Sequence, residues 1–199
     1  LHYARTIHHG IKLEDFPFHP AGGEDLLFFG RIHPDKGAAE AILAARAANC
    51  RLTMAGIVQD QSYYEQQVLP FLDGKHARHI GMVGGTARAS TLGSAKALLH
   101  LINFEEPFGL SVVEALACGT PVIAYRRGSM PEIIENGVTG FLVDDLEQAI
   151  AAIGLLPHID RRACRAAAVS RFSVDRMAQE YIALYEELLR PAVKKVHAS

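Results

Sequence analysis

The chain has 199 residues, 49% apolar and 21% charged, with a net charge of −2. That length is enough for one domain with a substantial core, and the near-neutral balance supplies no basic field for a nucleic-acid backbone. No apolar run approaches the roughly 20 residues needed to span a bilayer.

No signal-peptide pattern opens the chain, and its first residue is Leu rather than Met, so it reads as a fragment. Three widely spaced cysteines, Cys50, Cys118 and Cys164, form no CxxC. They are expected as reduced thiols packed like small hydrophobes in a cytoplasmic protein. His8-His9 and the His76–His79 stretch are the only histidine clusters. Neither has carboxylate or cysteine partners at a zinc-like spacing, so no metal site is expected.

Residues 1–25 contain Pro17, Pro20 and the Gly22-Gly23 pair and read as a connecting segment. Leu26 to Gly30 is a buried-strand candidate. Asp35 to Ala48 has Ala38, Ala41, Ile42 and Ala45 at helical spacing, with Pro34 and Asp35 suited to its first turn. Strands are expected at Arg51–Ile57, His79–Val83, Ala97–Ile102, Thr120–Tyr125 and Gly140–Val143, and a helix at Ser62–Leu72. A further short helix starts near Phe108 and ends at Cys118, with Gly119 suited to the position just past its end.

Ser173 to Arg190 places Val174, Met177, Tyr181, Leu184, Tyr185 and Leu188 on one helical face, with Ser173 as cap and Pro191 as stop. Strand and helix alternate over short connections, so the expected class is α/β: a Rossmann-like parallel sheet with helices on both faces. The expected division is a linker remnant over 1–25, a ligand-binding domain over 26–172, a C-terminal helix over 173–190 and a tail over 191–199.

Such sheets bind ligands outside the carboxyl ends of their strands, which directs attention to the loops there. After the first strand comes Gly30-Arg31-Ile32-His33-Pro34-Asp35-Lys36-Gly37. It is neither a Walker A loop nor GxGxxG, but it puts two cations on one strand-to-helix loop, suited to a diphosphate. Two solvated surface charges are the bland alternative.

After the fourth strand, Glu106 precedes Pro107-Phe108-Gly109-Leu110, where a helix start offers unused N–H groups and the positive end of its dipole. Gly109 lets the backbone come close to a phosphate there. Glu106 alone could be a structural cap. Glu114, inside the apolar run Leu-Ser-Val-Val-Glu-Ala-Leu-Ala, is costly to bury unless something binds it. An arginine partner or a solvent-facing orientation would also account for it.

The stretch EEPFGLSVVEALACGTPVIA, with Glu106 and Glu114 separated by seven residues, resembles the paired-glutamate motif of the retaining glycosyltransferases of family 4. These have the two-domain GT-B architecture. LLFFGRIHPDKG is similar to that family's Gly-Arg…Lys-Gly loop, PEIIENGVTGFLVDD to the segment after the glutamates, and RFSVDRMAQEYIALYEELL to its C-terminal helix. Together the matches run from His9 to about Leu189.

The resemblance implies that Arg31 and Lys36 bind the diphosphate of a nucleotide-sugar donor, helped by backbone N–H groups at Gly109 and Leu110. It implies that Glu106 contacts the transferred sugar, that Glu114 contacts the ribose, and that main chain near Met82 and Val83 meets the base. The expected catalytic set is therefore Arg31, Lys36 and Glu106. The expected nucleotide-sugar-binding set is Gly30, Met82, Val83, Phe108, Gly109, Leu110 and Glu114. The segment from Gly84 to Ser94 departs from the pattern, looking shorter than the family's helix-bearing stretch, and Asn103 and Phe104 replace more typical loop residues.

The implied activity is metal-independent, retaining transfer of a hexosyl group from an NDP-sugar, with UDP-glucose as the default donor and no cofactor. The acceptor would lie on an N-terminal domain outside this chain, and any membrane association would come through that domain. The C-terminal helix is expected to pack back toward it, and the fragment alone is expected to transfer little. A non-catalytic nucleotide-binding module and sugar-nucleotide epimerisation are the alternatives. Phosphorolysis lacks a pyridoxal-binding lysine environment, and a dinucleotide-dependent oxidoreductase lacks the glycine fingerprint.

Overall fold

Short runs, mostly apolar in all but one case, set the strands, and the computed structural model, which describes residues 3–189, pairs them into one parallel sheet. The strands are β1 (Leu26–Phe29), β2 (Leu52–Ala55), β3 (Ala77–His79), β4 (Ala97–His100), β5 (Val122–Tyr125) and β6 (Gly140–Val143), in the order β3-β2-β1-β4-β5-β6. Leu26 is in register with Leu52 on one side and Ala97 on the other. The order reverses direction between β1 and β4, and that break opens a crevice at their carboxyl ends.

The helices are α1 (Ala38–Ala47), α2 (Gln61–Tyr63), α3 (Gly85–Gly93), α4 (Leu110–Ala117), α5 (Met130–Ile133), α6 (Leu146–Leu155), α7 (Arg161–Arg171) and α8 (Val174–Leu189). Successive strand residues face opposite ways, so the sheet feeds two cores. Leu27, Leu98, Val122 and Ala124 pack under α3, α4 and α7. Leu26, Phe28, Met54, Leu99 and Ile123 pack under α1 and α6. Both faces are covered, as an α/β parallel sheet requires.

Several elements differ from the sequence expectation. β3 lies at Ala77–His79 rather than His79–Val83, because Gly81, at a φ of +74°, turns the chain out of the sheet and leaves Met82 78% exposed. The expected helix over Ser62–Leu72 is broken: α2 passes into a π turn at Tyr64–Val68 and a 3₁₀ turn at Leu69–Phe71. Pro70 forces this, since it has no N–H and its ring would collide with the carbonyl four residues back. Pro34 and Asp35 form a separate 3₁₀ turn before α1, not its first turn, with Gly37 (φ +69°) between the two. The segment from Gly84 to Ser94, which looks shorter than the family's helix-bearing stretch, carries α3.

The chain before β1 lies along the domain. Ile11 makes an isolated parallel bridge with Ser173, through Ile11 N–H to Phe172 O at 2.9 Å and Val174 N–H to Ile11 O at 3.0 Å. Arg161 donates to His19 O, and Arg165 to Phe16 O. Ser173 caps α8, accepting from Arg176 N–H at 3.1 Å, but α8 buries none of its side chains, and Tyr181, Ile182, Tyr185 and Leu188 are exposed. Arg190, Pro191 and the expected tail fall outside the described residues. Among the described residues no helix is long and apolar enough to cross a membrane.

Candidate functional site

The crevice between β1 and β4 is walled by the two loops that leave those strands. Backbone contacts stitch them together. Asn103 N–H donates to Asp35 O at 2.7 Å, and the Asn103 amide donates to Glu40 Oε1 at 2.7 Å and Pro34 O at 3.3 Å. At Gly37 a Cβ would stand 1.8 Å from Leu101 O, so the positive φ and the close approach both require glycine. From the far side Gly128 presses on the β4 loop, its N–H donating to the Glu105 carboxylate, while Ser129 N–H donates to Glu106 O at 2.9 Å. Glu106 is thereby fixed at its backbone.

Together these loops form a cleft of about 370 Å³ lined by Gly30, Arg31, Lys36, Glu106, Phe108, Gly109 and Leu110. Seven of the ten residues singled out from sequence therefore meet in one place. Lys36 Nζ lies 2.7 Å from Glu106 Oε2 and 4.4 Å from the centre of the Phe104 ring. Both members of this pair are mostly buried, Lys36 at 17% and Glu106 at 16% side-chain exposure. Arg31 is exposed at the rim and donates to Gln59 Oε1. Gly109, at φ +86°, caps α4, whose first residues, Leu110 and Ser111, line the cleft; the first N–H groups of a helix have no partner within it. A Cβ on Gly109 would meet Met130 at 2.7 Å.

The remaining three are placed differently. Glu114 lies in the second turn of α4, 7% exposed, bound through its Oε2 to Arg88 Nε at 2.8 Å and to Arg88 Nη2. Burial raises its pKa, against the opposing hydrogen bond and charge of Arg88. Arg88 itself lines the cleft, with its guanidinium over the Phe29 ring at 4.8 Å. Met82 and Val83 do not line it: Met82 faces solvent from the loop after β3, and Val83 rests partly buried against the core under α4.

Sequence reasoning missed Arg88 and His100. Arg88 sits on α3, a helix rich in Gly, Ala, Ser and Thr with little periodic signal. His100 is the last residue of β4, and that position alone could have drawn attention to it. It lines the cleft at 5% exposure, its Nε2 has no hydrogen-bond partner among the described residues, and Glu106 Oε2 stands 3.9 Å away. Burial, with help from the Lys36 charge, pushes its pKa down to about 3, so the ring is neutral at physiological pH. Among the described residues no group of three or more His, Cys, Asp or Glu side chains gathers as a metal ion would need.

The assembly thus offers three cations, a helix N-terminus and a carboxylate around one cleft at the sheet's switch point, an arrangement suited to a bound anion. Residues 12–162 match the family profile described as "Glycosyl transferases group 1". The chain is 29% identical over 219 residues to a D-inositol 3-phosphate glycosyltransferase of Saccharomonospora viridis, covering 93% of this chain and 50% of that protein. It is 31% identical over 144 residues to a glycogen synthase of Mycobacterium tuberculosis, covering 68% of this chain and 34% of that one. The chain therefore spans about half, or less, of the length of these relatives.

Among solved structures it superimposes on AviGT4, a glycosyltransferase involved in avilamycin A biosynthesis, with a TM-score of 0.82 at 30% identity over 95% of this chain and 59% of that one. It has the same fold as Anabaena Alr3699/HepE, solved with UDP and glucose, with a TM-score of 0.77 at 23% identity over 92% of this chain and 56% of that one. A parallel sheet with its cationic cleft at the switch point, matched along three quarters of its length, makes this chain a member of the group 1 glycosyl transferases, with the GT-B type of fold.

Proposed function

We propose that this chain is the nucleotide-sugar-binding half of a retaining, metal-independent glycosyltransferase that takes a hexosyl group from an NDP-sugar, with a UDP-sugar as the first candidate. The observation that carries this is the convergence of Arg31, Lys36, Glu106 and the N-terminus of α4 on one cleft. Breaking the bond between the anomeric carbon and phosphate develops negative charge on the leaving diphosphate. Arg31, Lys36 and the α4 amides are the groups that would take it up. Glu106 then acts by position and charge against the oxocarbenium-like sugar, not as a nucleophile. Glu114, with Arg88, would hold the ribose, and the acceptor would come from a further domain. Relatives whose structures contain UDP or UDP-glucose support the choice of donor class.

Calorimetric titration with UDP, GDP and ADP tests the reading. One nucleotide should bind, and Arg31→Ala should abolish or sharply weaken that binding. A complete absence of binding by all three, in a folded chain, would overturn the assignment of this cleft as a donor site.

A further inference from the structure

The Lys36–Glu106 ion pair creates a problem for any anion entering the cleft. Lys36 has a single charge, and at 2.7 Å Glu106 already shares it, although two of its three N–H donors are unused among the described residues. A diphosphate that recruits Lys36 leaves a carboxylate that is 16% exposed, beside a new negative charge and short of a partner. Beside the pair lies a group placed to resolve this, His100. His100 Nε2 is sealed from solvent, has no hydrogen-bond partner among the described residues, and stands 3.9 Å from Glu106 Oε2, about 1 Å beyond a hydrogen bond. A buried polar atom of this kind is costly unless some state of the molecule satisfies it.

We infer that His100 is the reserve partner of Glu106: when donor diphosphate draws Lys36 away, the carboxylate drops onto the Nε2–H of the neutral His100 ring and stays fixed in the cleft. Burial is the larger cause that keeps the ring neutral, so it can still donate from Nε2 without carrying charge into the core once Lys36 has moved. His100 is thus a positioning residue acting through Glu106, and the exchange lets one lysine serve two anions in turn. This rests on the cleft being a donor site.

The test follows the ring nitrogens of the ¹⁵N-labelled chain by NMR during titration with UDP, the His100 signals being assigned by their loss in His100→Gln. The expected result is a neutral ring protonated at Nε2, whose Nε2–H proton moves downfield on saturation. An Nε2–H signal that does not move while UDP binds would overturn the exchange and leave the donor site standing. If the wild-type chain binds no UDP, GDP or ADP, both readings fall together.

Affinities supply the second arm. His100→Phe should weaken UDP about tenfold, and His100→Gln, whose amide can still donate, should recover most of that loss. In a Glu106→Gln background, where no charge needs a partner, His100→Phe should have little effect. An equal loss in both backgrounds would show a packing role and sink the inference.

Discussion

The two ends of the sheet are both charged, and they differ in what their charges are for. At the amino ends of β1, β2 and β3, Asp25 accepts from Arg51 Nε at 2.6 Å and Arg78 Nη2 at 3.2 Å, while Arg78 Nε also donates to Thr53 at 3.0 Å. Those two cations share one carboxylate, Asp25, and the helices that arrive there bring their negative ends. At the carboxyl ends of β1 and β4 the helices begin, so α4 adds positive potential to that of Arg31 and Lys36. Among the described residues, Arg31 at this second end donates to the Gln59 amide and Lys36 to Glu106, which has His100 close by. A cleft lined by arginines is present at both ends, and helix polarity decides which one attracts an anion.

The sharpest way to break this contrast is at Gly37. Any side chain there meets Leu101 O and a left-handed backbone, so Gly37→Val should cost on the order of 3 kcal/mol in urea denaturation and loosen both loops. Lys36→Ala or Arg31→Ala should weaken nucleoside diphosphate by about 1.5–3 kcal/mol, the range for charge-assisted hydrogen bonds. Unchanged affinity in both, by calorimetry, would remove the phosphate assignment.

His100 makes the carboxyl end sensitive to acid. Its folded pKa is about 3 against an ordinary 6.5, so the unfolded chain binds the extra proton. Its contribution to stability is therefore present above pH 6.5 and falls by roughly 1.4 kcal/mol per pH unit below that, until the folded pKa is reached. Between pH 7 and pH 5 the wild-type chain should lose about 2 kcal/mol that His100→Gln does not. A matching pH slope in both proteins would exclude His100 as the source.

Glu114→Gln should cost about 1 kcal/mol in nucleoside diphosphate affinity and nothing with pyrophosphate. Equal losses would make the Arg88 pair purely structural. The smallest effect belongs to the amino end: Arg51→Ala, at a 60% exposed side chain, should leave nucleotide affinity unchanged and stability within about 0.5 kcal/mol.

Much of this architecture is legible because the signals are local. The strand runs at Leu26 and Val122 are short and apolar, Gly119 closes α4 at φ +85°, and Ser173 caps α8. The Arg31/Lys36 loop and the Glu106 loop could be read as site candidates because each stands where a strand gives way to a helix. What brings them together, the β1–β4 adjacency, is a long-range pairing that no local pattern encodes. Ile80, Met82 and Val83 misled the reading of β3 because apolar residues are common on loops and surfaces too. α6 and α7 lie outside the expected elements, although Asp145 and Asp160 cap them. Arg88 was illegible for a different reason: its meaning depends on Glu114, 26 residues away.

One further consequence comes from the Ile11–Ser173 bridge and the Arg5–Glu187 ion pair at 2.5 Å. They bring the chain into the domain and take it out again side by side. Tension between residues 5 and 187 would peel these two links open one after the other, without shearing any strand of the sheet. Mechanically, the cleft is coupled to that entering segment: His9, between the two links, lines it with its ring 5.2 Å from that of Phe108, so tension that opens the links reaches the site before any strand of the sheet.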